Sequence, residues 1–229
     1  MSWFPGKMLS FDIESTGVDP ALHHIVTAAC IEVGPEGVTG GAHWLIDPGV
    51  EIPEEATRIH GISTERARGE GDSMALAIPQ IAKVLRTAWN AGLPVVACNA
   101  TFDLTMLDHE LWRCAHSYLK PGPVIDPLVL DRALEPYRKG SRKLDALAAH
   151  YGVKQEAAHE ASQDALTAAR VVWAQLKANP HLTAMTLDEL TQWQRNAHEA
   201  WAVNFEKYLR GQGKQDVIDP AWPMKARAA

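Results

Sequence analysis

The sequence predicts an α/β fold: a mixed β-sheet flanked by helices, followed by a C-terminal helix and an extended tail. Two patterns carry this reading. Up to residue 47, three strand-like stretches follow one another; beyond residue 54, strand-like and helix-like stretches alternate. A meander followed by interleaved elements gives a sheet with antiparallel and parallel pairs, covered by helices. The length of 229 residues fits one buried core plus an extension. The expected division is a main domain at 1–178 and a helical extension with tail, docked on it, at 179–229.

The elements follow in order. Residues 8–14 (Met-Leu-Ser-Phe-Asp-Ile-Glu) read as a strand, and 25–33 and 38–47 as two more, separated by glycine and proline. Residues 54–62 form a short helical turn stopped at Gly61, and 72–91 carry apolar residues at helical spacing up to Gly92 and Pro94. Val95-Val96-Ala97-Cys98 is too short for a helix between such breakers and reads as a buried strand. A helix at 104–115, a short strand at 124–126, a helix at 144–151 closed by Gly152 and a helix at 161–177 ended by Asn179-Pro180 complete the main domain. In the extension, Leu187, Leu190, Gln194, Ala197, Trp201, Phe205 and Tyr208 step along one helical face, bordered by Trp193 and Leu209. Beyond Gly211, Asp219-Pro220-Ala221-Trp222-Pro223 cannot continue the helix; this tail either lies on the body or moves freely.

Composition narrows the function classes. With 46% hydrophobic and 22% charged residues, the chain has the make-up of a folded globular protein rather than a disordered one. No uncharged apolar run approaches the ~18–20 residues of a membrane span, and residues 1–7 do not resemble a signal peptide. A cytoplasmic protein with no membrane contact is expected. Cys30, Cys98 and Cys114 lie in apolar stretches and are odd in number, which suits buried thiols better than a disulfide framework. A formal net charge of -6 disfavours nonspecific coating of nucleic acid, which needs a broad basic surface, yet allows a carboxylate cluster offset by bound cations.

Asp12 and Glu14 stand two residues apart on the first strand, so both side chains leave one face and Ile13 the other. Converging carboxylates raise each other's pKa unless a cation neutralises them, and an all-oxygen set suits Mg²⁺ or Mn²⁺. A hydrated strand end is the alternative. Asp103, after the buried strand and at the start of a helix, belongs at a sheet edge; an ordinary N-cap is its other role. Asp164 lies one turn into the helix at 161–177. His159, five positions earlier, is rotated from it by about 140° and is placed on the loop before that helix.

Together these residues resemble the DEDDh (DnaQ-like) family of 3′–5′ exonucleases, of the ribonuclease H-like superfamily. Phe11-Asp12-Ile13-Glu14-Ser15-Thr16-Gly17 is similar to its first motif, Asn99-Ala100-Thr101-Phe102-Asp103 to its second, and His159-Glu160-Ala161-Ser162-Gln163-Asp164-Ala165 to its third. Ile59-His60-Gly61-Ile62-Ser63 is similar to a substrate-contacting stretch, and Asp126-Pro127-Leu128 takes the place of an Asp-Thr-Leu. The resemblance spans about residues 8–178. Three departures, Cys98 for a common His, Pro127 for Thr and Ser162 for Leu, leave the catalytic positions intact.

The resemblance implies a ribonuclease H-like fold and a two-metal hydrolase. Asp12, Glu14, Asp103 and Asp164 would hold two Mg²⁺ or Mn²⁺ ions, Asp103 through a water, and His159 would be the general base. The substrate would be the 3′ end of a nucleic acid, single-stranded DNA ahead of RNA, released as nucleoside 5′-monophosphates. Ser15, Thr16 and Gly17 would meet the terminal sugar, and His60 and Ile62 would grip the last bases. Two roles stay open for Ile62, wedge or core, and for Asn99, phosphate contact or turn cap; Phe102 joins the substrate-binding set with the second motif. Arg132, Arg138, Lys139, Arg142 and Lys143 form a basic stretch that either lines the phosphate path, through Arg138 and Arg142 above all, or is a solvated surface. A polymerase or repair partner is also implied.

Three other readings compete: an exoribonuclease on the same fold, a non-catalytic binding module, and a haloacid dehalogenase-type phosphatase. The phosphatase needs Asp at position 14 and a later paired-aspartate motif, neither of which is present. A binding module would be expected to have lost a ligand, whereas all five residues are here.

Overall fold

The computed structural model describes residues 3–154 and 160–226. Among these, six strands form one sheet in the order β4-β3-β2-β1-β5-β6. Strands β1 (Met8–Ser15), β2 (Ile25–Gly34) and β3 (Gly37–Asp47) are the expected antiparallel meander. On the far side of β1, β5 (Val95–Val96) and β6 (Val124–Ile125) add in parallel. The mixed sheet is as expected. β4 (Asp72–Ser73), a two-residue parallel edge beside β3, is new and takes the first two residues of the helix expected at 72–91.

The helices are α1 (Glu54–His60), α2 (Thr64–Glu70), α3 (Met74–Asn90), α4 (Ala100–Ala115), α5 (Pro127–Leu134), α6 (Leu144–His150), α7 (Ala161–Ala178), α8 (Pro180–Thr183) and α9 (Leu187–Gly211). α1 stops where Gly61 takes a φ of 74°, a left-handed turn that glycine makes at no steric cost. Three of the helices were not expected from the sequence. α2 buries only Ala67, so it has no apolar period and depends on the Ser63 side chain, which accepts from the Arg66 N–H at 3.2 Å. α5 begins at proline after the N-cap Asp126, and α8 is a single turn.

Alternation along β1 sorts the core into two layers. Leu9, Phe11 and Ile13 face α3 and α4, joining Ile78, Ile81 and Leu104. Met8 faces the other way, with Val96, Ala168, Val172 and Leu190. Ser10, Asp12 and Glu14 share the side of Met8 by strand periodicity, which is the side covered by α7. Where α7 crosses the sheet, Ala161 and Ala165 meet Ala29, so small side chains let the helix come close.

The extension differs in detail from its expected face. Leu190 and Gln194 are buried as expected, but beyond them the buried positions are His198, Ala202 and Leu209, while Tyr208 is 59% exposed. Gln194 terminates the sheet edge: its Nε2 donates to Val124 O at 2.8 Å and its Oε1 accepts from Asp126 N at 2.8 Å. The tail lies on the body through residue 226, with Trp222 buried and donating to Asp126 Oδ2 at 3.3 Å. No helix among the described residues is long and apolar enough to cross a membrane.

Candidate active site

Three carboxylates converge at the end of β1. Asp12 and Glu14 project toward α7, whose first turn carries Asp164, and one oxygen from each lies within 4.8 Å of the others. The close approach of α7 at Ala161 and Ala165 makes this possible. Asp103 comes from the opposite side of β1: its Oδ1 accepts the Ile13 N–H at 3.2 Å, between the two strand carboxylates. α4 begins at Ala100, four residues before the expected start, so Asp103 sits in its first turn and is not the N-cap.

The electrostatics are those of four acids with too little water. Burial, then the charges of Asp103, Glu14 and Asp164, raise the Asp12 pKa well above its ordinary 3.8. Burial followed by Asp164 pushes Glu14 from 4.5 to about 7. Asp103 is raised by burial against the opposing pull of backbone N–H groups. A hard divalent cation is what such an oxygen-only cluster fits.

This carries a pH signature. Because the Glu14 pKa is raised on folding, the unfolded chain loses its proton first, near pH 4.5, and the folded chain near 7. That contribution to stability is complete below pH 4.5 and lost as pH rises through about 7. The melting temperature in EDTA should therefore fall between pH 5 and 8, and Glu14→Gln should flatten that fall. Mn²⁺ should restore more stability at pH 8 than at pH 5.5. A melting temperature that rises over this interval in EDTA would contradict the assignment.

Around the cluster, the β1 end is held in a defined turn. Ser15 Oγ donates to Gly17 O at 2.8 Å, and Thr16 exchanges bonds with the His24 backbone, donating at 2.9 Å and accepting at its hydroxyl at 3.0 Å. A Cβ on Gly17 would come within 2.4 Å of the His23 ring. Glu110, buried and bonded to His24 Nδ1 at 2.9 Å and Arg113 Nε at 3.2 Å, anchors this turn from α4.

Two cavities meet the carboxylates. One, of about 330 Å³, is walled by Glu14, His43, His60, Ile62, Arg66 and Ser162. His60 Nδ1 accepts the Ile62 N–H at 3.1 Å, which leaves the ring proton on Nε2, a buried atom without a partner among the described residues. Burial lowers the His60 pKa, against the opposing pull of the Ser15 backbone. Ile62 is at once a wall of this cavity and packed with Val26, Ile52 and Ala67, so both of its expected roles coexist.

The other cavity, about 490 Å³, is lined by Asp12, Asn99, Arg132, Arg142, Lys143 and Asp164. Asn99 stands at φ 65°, the left-handed region, with no side-chain cap, and its backbone N–H donates to Asp126 Oδ1 at 3.1 Å. Asp126 also accepts from Ala100 N at 3.0 Å and Leu128 N at 2.9 Å, so one buried carboxylate shapes both the turn that aims Asp103 and the start of α5. Phe102 is half-buried against the core.

The basic stretch, expected either to line the phosphate path or to be a solvated surface, is partly on the cavity wall and partly paired with a buried carboxylate. Arg132 is on α5, and Arg138 and Arg142 are committed to the buried Asp131: Arg138 Nε and Nη2 each donate at 3.0 Å, and Arg142 Nη1 donates to Oδ2. A buried carboxylate seven residues before Arg138 gave no signal in one-dimensional charge counting. Asp131, Glu110, His43 and Arg66 are site neighbours the sequence reading did not single out. Asp126, quoted from the sequence within Asp126-Pro127-Leu128, proves to be the N-cap of α5. His159 lies outside the described residues.

The profile of the RNase T family, described as exonuclease, matches residues 9–172. The chain belongs to the DEDDh exonuclease family. Among curated relatives of this family, the DNA polymerase III subunit epsilon of Rickettsia conorii is 33% identical over 72% of this chain and 71% of its own length. The PolC-type DNA polymerase III of Pediococcus pentosaceus is 28% identical over 75% of this chain, which spans only 11% of that polymerase. Among solved structures, E. coli exonuclease I in complex with a dA16 oligonucleotide superposes with a TM-score of 0.64 at 22% identity, covering 78% of this chain and 42% of that one. The fold is thus the ribonuclease H-like one.

Proposed function

We propose that this chain is a divalent-cation-dependent 3′–5′ exonuclease that shortens single-stranded DNA by nucleoside 5′-monophosphates. The observation that carries the reading is the convergence of Asp12, Glu14 and Asp164 within 4.8 Å on the α7 side of β1, with Asp103 behind them. These residues would hold two Mg²⁺ or Mn²⁺ ions, Asp103 through a water. Cations held there would supply stabilisation of the charge that develops in phosphodiester displacement.

The chain's own groups do the rest. The Ser15-Thr16-Gly17 turn offers a rigid seat for the terminal sugar, and His60 stands beside it with its ring on the cavity wall. Ile62 wedges the last base, and Asn99 and Phe102 border the scissile phosphate. His159 would take the proton of the attacking water as general base. Arg142 acts on substrate only through its place in the cavity wall, and Arg138 by holding Asp131. We place the nuclease unit at 1–178 and a docked extension at 179–229.

DNA is preferred to RNA because the relatives are named as DNA polymerases and the superposed exonuclease I carries dA16. The same names support a replication or repair setting beside a polymerase. Oligonucleotides of DNA and RNA labelled at either end, with Mg²⁺ or Mn²⁺, test the proposal. Stepwise loss from the 3′ end of DNA is expected, and His159→Ala should lower kcat about 10²–10⁴-fold. A cation-binding protein that cuts neither polymer would end this reading.

A further inference from the structure

We propose that Trp222, in the C-terminal tail, is a positioning residue for the cation site: acting through Asp126, it fixes the turn that aims Asp103. This rests on the nuclease reading above. The family profile ends at residue 172, so Trp222 stands outside the matched domain. The Trp222 side chain is buried, and its Nε1 donates to Asp126 Oδ2 at 3.3 Å. The direction of that N–H carries the inference, because it ends on the carboxylate that shapes the catalytic turn rather than on a loop carbonyl.

Asp126 gathers N–H groups from three segments. Its Oδ1 accepts from Asn99 N at 3.1 Å, Leu128 N at 2.9 Å and Val129 N at 3.4 Å, and its Oδ2 from Ala100 N at 3.0 Å and from Trp222. The turn depends on this carboxylate. Asn99 stands at φ 65°, a left-handed conformation that costs a residue with a side chain energy and is kept only where its surroundings hold it. Both N–H groups of the turn, from Asn99 and Ala100, end on Asp126. Ala100 opens α4, and Asp103, in the first turn of that helix, accepts the Ile13 N–H between Asp12 and Glu14. A swing of the Asp126 carboxylate therefore reaches the acidic cluster within one helical turn.

The extension holds this assembly from several sides. Gln194 bonds the Asp126 backbone N–H from α9, and Arg195 Nε donates to Trp222 O at 3.3 Å, tying the tail to the same helix. Further along the tail, Lys225 N donates to Thr105 Oγ1 at 3.0 Å, two residues past Asp103 on α4. Asp103 is thus bracketed, with Ala100 held through Asp126 and Thr105 held directly. Without the Trp222 N–H, Oδ2 keeps the Ala100 N–H alone, and a buried acceptor that loses a donor is costly. Cation ligands whose supporting hydrogen bonds are removed lose about 10–100-fold in affinity or activity.

The test compares the full chain with Trp222→Phe, which keeps a buried ring and removes its N–H, and with Leu209→Ala. Leu209 is buried on the same extension but lies about 22 Å along α9 from Gln194, at 1.5 Å per residue. Trp222→Phe should weaken binding of Mn²⁺ alone, read by calorimetry, and lower kcat on single-stranded oligothymidylate, each about tenfold. KM should stay within twofold, because the cavity walls are untouched. In the cation-free protein, the Asn99 and Ala100 amides should exchange with deuterium faster than in the parent. Leu209→Ala should lower the melting temperature while leaving Mn²⁺ affinity, kcat and those two amides at parent values. Parent values of Mn²⁺ affinity and amide exchange in Trp222→Phe overturn the proposal, as does an equal loss of both in Leu209→Ala, and Trp222 is then core packing. Absence of Mn²⁺-dependent hydrolysis by the parent refutes the nuclease reading instead, while calorimetry and exchange still decide whether Trp222 positions the cation site.

Discussion

Asp12→Asn is expected to abolish divalent-cation binding and to lower turnover at least ~10³-fold, about 4 kcal/mol of transition-state stabilisation, while raising the melting temperature of the cation-free protein. The two effects share one cause. Asp12 is half-buried beside Asp103, Glu14 and Asp164, whose charges add to the burial that raises its pKa. Removing its charge removes repulsion that the protein tolerates only because cations bind there. An amide of the same shape keeps the packing, so the change is electrostatic. Calorimetric titration with Mn²⁺, single-turnover hydrolysis and melting in EDTA at pH 8 read the three effects. If Asp12→Asn melts lower than the parent in EDTA, the carboxylates are not in mutual repulsion, and the electrostatic account of the site falls.

Asp131→Ala should cost about 3–5 kcal/mol of stability, a loss of roughly 10 °C in melting temperature. Asp131 is fully buried and accepts from Arg138, Arg142 and, at 3.0 Å, the Tyr151 hydroxyl. Its loss strands two guanidinium groups whose side chains are only 11% and 16% exposed. The harm should reach catalysis as well, because Arg142 and Lys143 wall the cavity shared with Asp12 and Asp164. KM should rise more than kcat falls, since the metal ligands themselves stay in place. Urea unfolding and steady-state kinetics read both, and a melting loss below 2 °C would show that the charge cluster is surface-like after all.

The contrast between these two aspartates shows what was legible beforehand. Asp12 and Glu14 declare themselves through strand periodicity, since a spacing of two puts them on one face whatever surrounds the strand. Asp131 is invisible at that level: its meaning depends on Arg138 and Arg142 folding back over α5, a helix that the sequence does not announce. α2 was missed for a related reason, because its stability comes from a capping serine and one buried alanine rather than from an apolar stripe. The start of α4 was misplaced because Asn99 supplies a left-handed turn without a side-chain cap.

The sequence by itself determined the class of fold, the meander followed by parallel additions, and the residue types and order from which the acidic site is made. Those depend on local periodicity and on motifs within a few residues of one another. Only the tertiary structure decided that α7 comes close enough, through Ala161 and Ala165 on Ala29, to bring Asp164 within 4.8 Å of the β1 carboxylates. It also decided that Arg138 and Arg142 are tied down by Asp131, and that the tail covers one flank of α9, leaving part of an expected core stripe half-exposed. Each of these is a long-range contact, set by which surfaces compete for burial, and residue spacing along the chain carries no record of that competition.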